Sequence, residues 1–235
     1  MEPLALYIHI PFCATKCPYC DFNTYAGIES LIPSYSAALS RELEIWGALL
    51  DTPKITTVFF GGGTPSYIGI KYISEIFSSF ENFYKIQKDA EITLEINPDD
   101  VTYPFALALN DLGFNRVSIG VQSLDDNLLT MLGRRHNSDQ AETAYTQLRS
   151  AGFNNISLDL MYGLPNQSLQ QWSATLDKVL HMAPEHISLY CLTLEQGTPM
   201  EYQVRVGKLT RPDDDLAADM YQLAENKLAG QGYKQ

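Results

Sequence analysis

Cys13, Cys17 and Cys20 lie in the run Cys13-Ala14-Thr15-Lys16-Cys17-Pro18-Tyr19-Cys20, while the fourth cysteine, Cys191, stands alone. Three thiolates on one short loop can wrap a metal or a metal cluster. A structural zinc site needs four ligands, and the fourth here would be His9, Asp21 or the distant Cys191. A cubane iron–sulfur cluster ordinarily takes four cysteines. With three, one iron stays open to an outside ligand, which suits catalysis better than electron carriage. A secreted disulfide framework would be denser and dispersed. A second chemical feature is Gly61-Gly62-Gly63-Thr64. Three glycines present bare backbone, so a ligand can approach closely, or the chain can turn tightly, or both.

These residues need a scaffold, and the patterning supplies one. Strands are expected at Leu4–Ile10, Thr56–Phe60, Ile92–Ile96, Arg116–Val121, Ile156–Leu160 and Ile187–Leu194. Helices are expected at Pro33–Leu50, Ile70–Phe83, Pro104–Leu112, Ser138–Ser150, Ser168–Met182 and Asp213–Ala229, on apolar spacings of three and four residues. Strict alternation implies a parallel sheet with right-handed crossovers. Six units fall short of the eight of a closed barrel. The expectation is an open, three-quarter parallel (β/α)6 barrel, with a doubly wound sheet as the alternative. No linker-like stretch divides residues 1–235, so one domain is expected.

Side chains alternate along a strand. If Ile92, Leu94, Ile96, Val117, Ile119, Val121, Ile156, Leu158 and Leu160 pack under the helices, the polar set faces one interior. Glu95, Gln122 and Asp159 then converge at the carboxyl ends of neighbouring strands, the edge that carries ligands in parallel α/β folds. On the first strand, Tyr7 and His9 share the corresponding face. Cys191, on a face with Ile187 and Leu189, reads as a buried thiol. His136, His181 and His186 read as ordinary loop or helix-end histidines.

The chain has 235 residues, 45% hydrophobic and 19% charged, which excludes a disordered chain. No apolar run is long enough for a membrane span. The net charge of −12, from 16 basic and 28 acidic residues, argues against nucleic acid as a partner. Met1-Glu2-Pro3-Leu4-Ala5 lacks a basic leader segment. A reducing cytoplasm is therefore the expected location.

Tyr7-Ile8-His9-Ile10-Pro11-Phe12-Cys13, followed by Cys17-Pro18-Tyr19-Cys20-Asp21-Phe22, resembles the opening of the radical S-adenosylmethionine (SAM) superfamily. More narrowly it is similar to the oxygen-independent coproporphyrinogen III oxidases and their relatives. Gly61-Gly62-Gly63-Thr64-Pro65-Ser66, Leu94-Glu95-Ile96-Asn97-Pro98, Ser118–Ser123, Leu132-Gly133-Arg134-Arg135-His136 and Asp159–Pro165 continue the resemblance in order. It implies that Cys13, Cys17 and Cys20 bind three irons of a 4Fe-4S cluster, and that SAM chelates the fourth. One electron would then cleave the sulfonium C–S bond to methionine and a 5′-deoxyadenosyl radical. Gly62, Gly63 and Thr64 would meet the methionyl end. Glu95, Gln122, Arg134 and Asp159 would contact SAM, and Tyr7 and Tyr19 would pack near it.

The oxidases of this family carry a fourth cysteine two residues beyond the third and a longer N-terminal segment. Here Phe22 takes that position and six residues precede Tyr7. Asp21-Phe22-Asn23 resembles the other branch, the haem chaperones. The resemblance thus implies SAM and haem as ligands, with an unidentified electron donor and haem acceptor as partners. Oxidative decarboxylation of coproporphyrinogen III is the alternative. The branch has a C-terminal domain with a His-Asn-x-x-Tyr-Trp signature, which this sequence is expected to lack or to carry truncated.

Overall fold

The computed structural model describes residues 2–234. In chain order the elements are β1 (Leu4–Ile10), β2 (Phe12–Cys13), β3 (Tyr25–Ala26), α1 (Ile32–Leu49), β4 (Lys54–Gly62), α2 (Gly69–Phe83), β5 (Lys85–Ile96) and α3 (Tyr103–Asp111). Then follow β6 (Arg116–Gln122), α4 (Asp126–Met131), α5 (Ser138–Ser150), β7 (Ile156–Tyr162), α6 (Leu169–Met182), β8 (His186–Cys191), α7 (Pro199–Arg205) and α8 (Asp214–Gly230).

Six strands form one sheet in the order β1-β4-β5-β6-β7-β8, every neighbouring pair parallel. Each new strand joins the same side of the sheet. A doubly wound sheet would reverse direction at a switch point. The progression is instead that of an open (β/α)6 barrel, with β1 and β8 as its edges among the described residues. Val58, Phe60, Leu94, Val117, Ile119, Val121, Ile156, Leu158 and Leu160 are buried against the helices. The opposite faces of the same strands carry the polar side chains.

Local sequence fixes the helix starts. Asn137 with Gln140, and Ser168 with Gln171, form reciprocal capping boxes at α5 and α6. Thr102 caps α3. Two strands run further than expected. β4 continues through Gly61 and Gly62, and β5 begins at Lys85, pairing with Lys54 before a register shift. β8 stops at Cys191 rather than at Leu194. Cys191 is exposed, which corrects the expectation of a buried thiol. Among the described residues, β8 is the edge of the sheet. The short β2–β3 pair and helices α4 and α7 carry too few residues for periodicity to signal them.

Candidate functional site

The cysteine loop leaves the barrel at the end of β1. Its base is closed by β2 against β3 and by the Tyr25 N–H on the Pro11 carbonyl at 2.8 Å. Lys16 Nζ ties the loop internally, donating to the carbonyls of Phe22 (3.0 Å) and Thr24 (3.3 Å). The Met200 N–H holds the Pro18 carbonyl at 2.9 Å, fastening the loop to α7. Cys13, Cys17 and Cys20 are all partly exposed. The Thr64 hydroxyl donates to Cys13 Sγ at 3.5 Å, and Arg134 Nη1 to Cys17 Sγ at 3.6 Å. Burial pushes the Cys13 thiol up, with the Thr64 and Thr24 hydroxyls pulling it back.

Across from the loop, β4 ends in the glycine run. Backbone bonds from Gly63 N–H to Ile10 O and from Thr64 N–H to Phe12 O, each 2.8 Å, pin it to the segment that enters the cysteine loop. A Cβ on Gly63 would fall 2.7 Å from Phe12 O and 2.9 Å from Ile10 O. One on Gly62 would fall 2.5 Å from the His9 ring, and Gly62 also holds φ +116°, a region open to glycine. The run is thus both a close approach and a turn.

β5, β6 and β7 contribute Glu95, Gln122 and Asp159. Glu95 Oε2 accepts the Gly62 N–H at 3.2 Å. Burial, with Asp159 adding repulsion, pushes Glu95 up to about 7, against the pull of that N–H. Asp159 is raised as well, by burial first, although the hydroxyls of Ser118, Ser188 and Ser157 favour its ionised form. Ser118 Oγ lies 2.9 Å from both carboxylate oxygens. Gln122 takes φ +65° where the β6–β7 register shifts. Arg134 donates from Nη2 to Gly120 O at 2.8 Å and to Asn97 Oδ1. Its Nε is buried without a partner. Burial opposes its charge, the Tyr19 and Cys17 side chains beside it favour it, and the guanidinium stays protonated.

These groups line one cavity of about 420 Å3. Its wall includes Cys13, Cys17, Cys20, Tyr19, Gly62, Gly63, Thr64, Glu95, Gln122, Arg134 and Asp159. Burial drives the Tyr19 phenol far above its ordinary range, so it stands there neutral. Tyr7 is not among the lining residues. Its ring is 59% exposed and stacks near Phe59 at 6.1 Å, and its hydroxyl donates to His9 Nδ1 at 3.1 Å. His9 in turn donates from Nε2 to Asn23 O at 3.0 Å and, like Tyr7, is not among the lining residues.

Ser118, Tyr190, Cys191 and Arg135 also line the cavity, and sequence reasoning assigns none of them a role there. The alternation of β7, extended to Ser188 and Tyr190 on β8, is the signal that finds the tyrosine. Arg135 pairs with Asp99 and Asp100, each at 2.8 Å, a contact no spacing rule indicates. His136 also departs from expectation. It is 3% exposed, with Nε2 on Val121 O at 3.0 Å, and burial pushes it down to about 4.

Among the described residues no three His, Cys, Asp or Glu side chains meet at a point that would hold one ion. A zinc ion requires such a meeting point. A cubane cluster does not, because each thiolate takes a separate iron. Three thiols lining one cavity, beside an arginine with an unpartnered buried Nε, fit a cluster and an anionic chelating ligand.

The model of the radical SAM superfamily matches residues 7–179. The heme chaperone HemW of Mycobacterium tuberculosis (strain CDC 1551 / Oshkosh) is 37% identical over 235 residues, covering 99% of this chain and 60% of that protein. HemW of Bacillus subtilis is 36% identical over 97% of this chain and 61% of its own length. A mitochondrial radical S-adenosyl methionine domain-containing protein 1 of Mus musculus is 39% identical, over 98% of this chain and 52% of that protein. The chain therefore spans between half and two thirds of the length of these relatives. Among solved structures, coproporphyrinogen III oxidase (HemN) of Escherichia coli superposes with a TM-score of 0.90 at 27% identity. That match covers 99% of this chain and 54% of that one.

Proposed function

Because this chain belongs to the radical SAM superfamily, we propose that its cavity holds a 4Fe-4S cluster and SAM, and that the protein is a haem chaperone which passes haem to an acceptor. Cys13, Cys17 and Cys20 would hold the cluster, leaving one iron for SAM. When bound, the pair supplies one-electron reductive cleavage of the sulfonium bond. The chain's own residues bind and orient. Arg134, charged and reaching toward Cys17, would meet the carboxylate end of SAM. The glycine run, whose Gly62 and Gly63 line the cavity, would meet its methionyl end. Glu95 and Asp159 suit ribose hydroxyls or the cationic centre. Tyr19, a neutral phenol on the cavity wall, would pack near the cofactor.

The observation that carries this reading is the convergence of the three loop thiols, the glycine run and the lumen carboxylates on one cavity. The haem role is supported by the HemW relatives, which match nearly the whole chain. The likeness to HemN favours coproporphyrinogen oxidation as a second reading. The electron donor and haem acceptor belong to this proposal as partners of unassigned identity.

Anaerobic reconstitution with iron, sulfide and reductant tests it. The expected product is brown with about four irons per chain, with an EPR signal that changes on adding SAM and a haem spectrum on titration. Cys13→Ala, Cys17→Ala or Cys20→Ala is expected to abolish iron loading, and Cys191→Ser to retain it. A colourless protein, or equal iron loss in the Cys191 variant, overturns the three-cysteine assignment.

A further inference from the structure

Ser157 stands between a lumen carboxylate and a histidine at the barrel floor. It is 0% exposed. Its Oγ lies 3.3 Å from Asp159 Oδ1, 2.9 Å from His186 Nδ1 and 3.5 Å from Ser188 Oγ. β7 pairs with β8 through Ser157 opposite His186 and Asp159 opposite Ser188, so the chain of contacts is set by backbone register. His186 opens β8 and is exposed, so water reaches it. Asp159 lies deeper in the lumen.

A hydroxyl carries one proton. When His186 is neutral with its Nδ1 lone pair toward Ser157, the hydroxyl donates to the imidazole. Asp159 then loses that donor and keeps Ser118 and Ser188. When His186 is protonated, Nδ1–H donates to Ser157 Oγ, and the hydroxyl proton turns to the carboxylate. We propose that His186 is a positioning residue acting through Ser157, and that its protonation decides whether the ionised Asp159 receives this extra hydrogen bond. Neither residue touches the cysteine loop.

The other groups around this pair do not supply the coupling. Arg116 of β6 attracts the Asp159 charge, while Glu95 of β5 and Tyr190 of β8 interact with it repulsively. Glu185, beside His186 in the chain, is already engaged by Arg149 at 2.8 Å and by the Ile156 N–H at 3.0 Å. The link from floor to lumen thus runs through the Ser157 hydroxyl. Its consequence for SAM rests on the reading given above; the ionisation of Asp159 does not.

The test is a carbon-13 NMR titration of the Asp159 carboxyl in the unloaded chain, alongside the His186 ring. The carboxyl is expected to show an inflection at the pH where His186 titrates. Ser157→Ala should erase that inflection and raise the proton affinity of Asp159 about tenfold, the loss of one bond to a charged group. His186→Phe frees the hydroxyl for Asp159 at every pH and should lower its midpoint. An Asp159 signal flat through the His186 titration in the unaltered chain, or an inflection that survives Ser157→Ala, overturns the proposal. On cluster-loaded protein, Ser157→Ala should weaken SAM binding near neutral pH. If the unaltered chain binds no SAM, the cofactor reading fails, while the titration still decides the relay.

Discussion

Glu95 shows how one residue's surroundings set what it can do. Its carboxyl is pushed up to about 7 by burial and by Asp159. The folded chain binds a proton there that the unfolded chain has released, so this group lowers stability as pH rises from its ordinary range toward 7. A cationic ligand reverses the preference, because it favours the carboxylate. SAM affinity is therefore expected to rise about tenfold per pH unit below 7 and to level off above it. Glu95→Gln should flatten that slope and bind SAM more weakly at pH 8. Equilibrium binding across pH measures this, and a slope unchanged in the glutamine variant would show that another group controls it. His136 acts in the opposite sense. Its pKa is depressed to about 4, so it withdraws stability as pH falls below 6.5.

At the scale of elements, each strand serves two masters through its alternation. On β7, Leu158 is fully buried under the helices, and Asp159 faces the cavity. Leu158→Ala is expected to cost about 2–5 kcal/mol in denaturant unfolding while leaving SAM affinity intact. Asp159→Ala should do the reverse, losing roughly ten- to hundredfold in SAM affinity with iron content unchanged. Exchanged outcomes would place the strand one residue out of register. The β4 end is tighter. Gly63→Ala would drive a methyl against the carbonyls of Phe12 and Ile10, both backbone atoms that cannot swing aside. That variant should lose the cysteine loop's geometry, read as reduced iron loading in a folded chain.

At the scale of the whole molecule, charge separates the two readings of its chemistry. Coproporphyrinogen III presents four carboxylates, which need cations around the open lumen. Each cation that lines the cavity already has partners in the chain, with Arg134 Nε the exception. Arg134 serves Gly120, Asn97 and Cys17, Arg135 serves Asp99 and Asp100, and Lys16 holds two loop carbonyls. The net charge of −12 offers no general attraction. The chain is expected not to convert coproporphyrinogen III to protoporphyrinogen IX, even with cluster, SAM and reductant supplied. Porphyrin chromatography beside 5′-deoxyadenosine analysis checks this, and stoichiometric decarboxylated product would select the oxidase reading.

The cysteine spacing, the glycine run and the strand faces of Glu95, Gln122 and Asp159 are legible in the amino-acid sequence by itself, because each is a local property: loop length, absence of Cβ, and a period of two. The number and parallel order of the main strands follow from their alternation with helices. Arg134 comes only through resemblance, since nothing local distinguishes it from a surface charge. The tertiary structure alone decides what depends on neighbours distant in the chain. It sets Tyr7 outside the cavity wall and leaves Cys191 exposed on that wall. It buries His136 against Val121, engages Arg135 with Asp99 and Asp100, and aligns Asp159, Ser157 and His186 through the β7–β8 register. Those contacts join residues far apart in sequence, and pairing of that kind is written in the packing of strands rather than in any one of them.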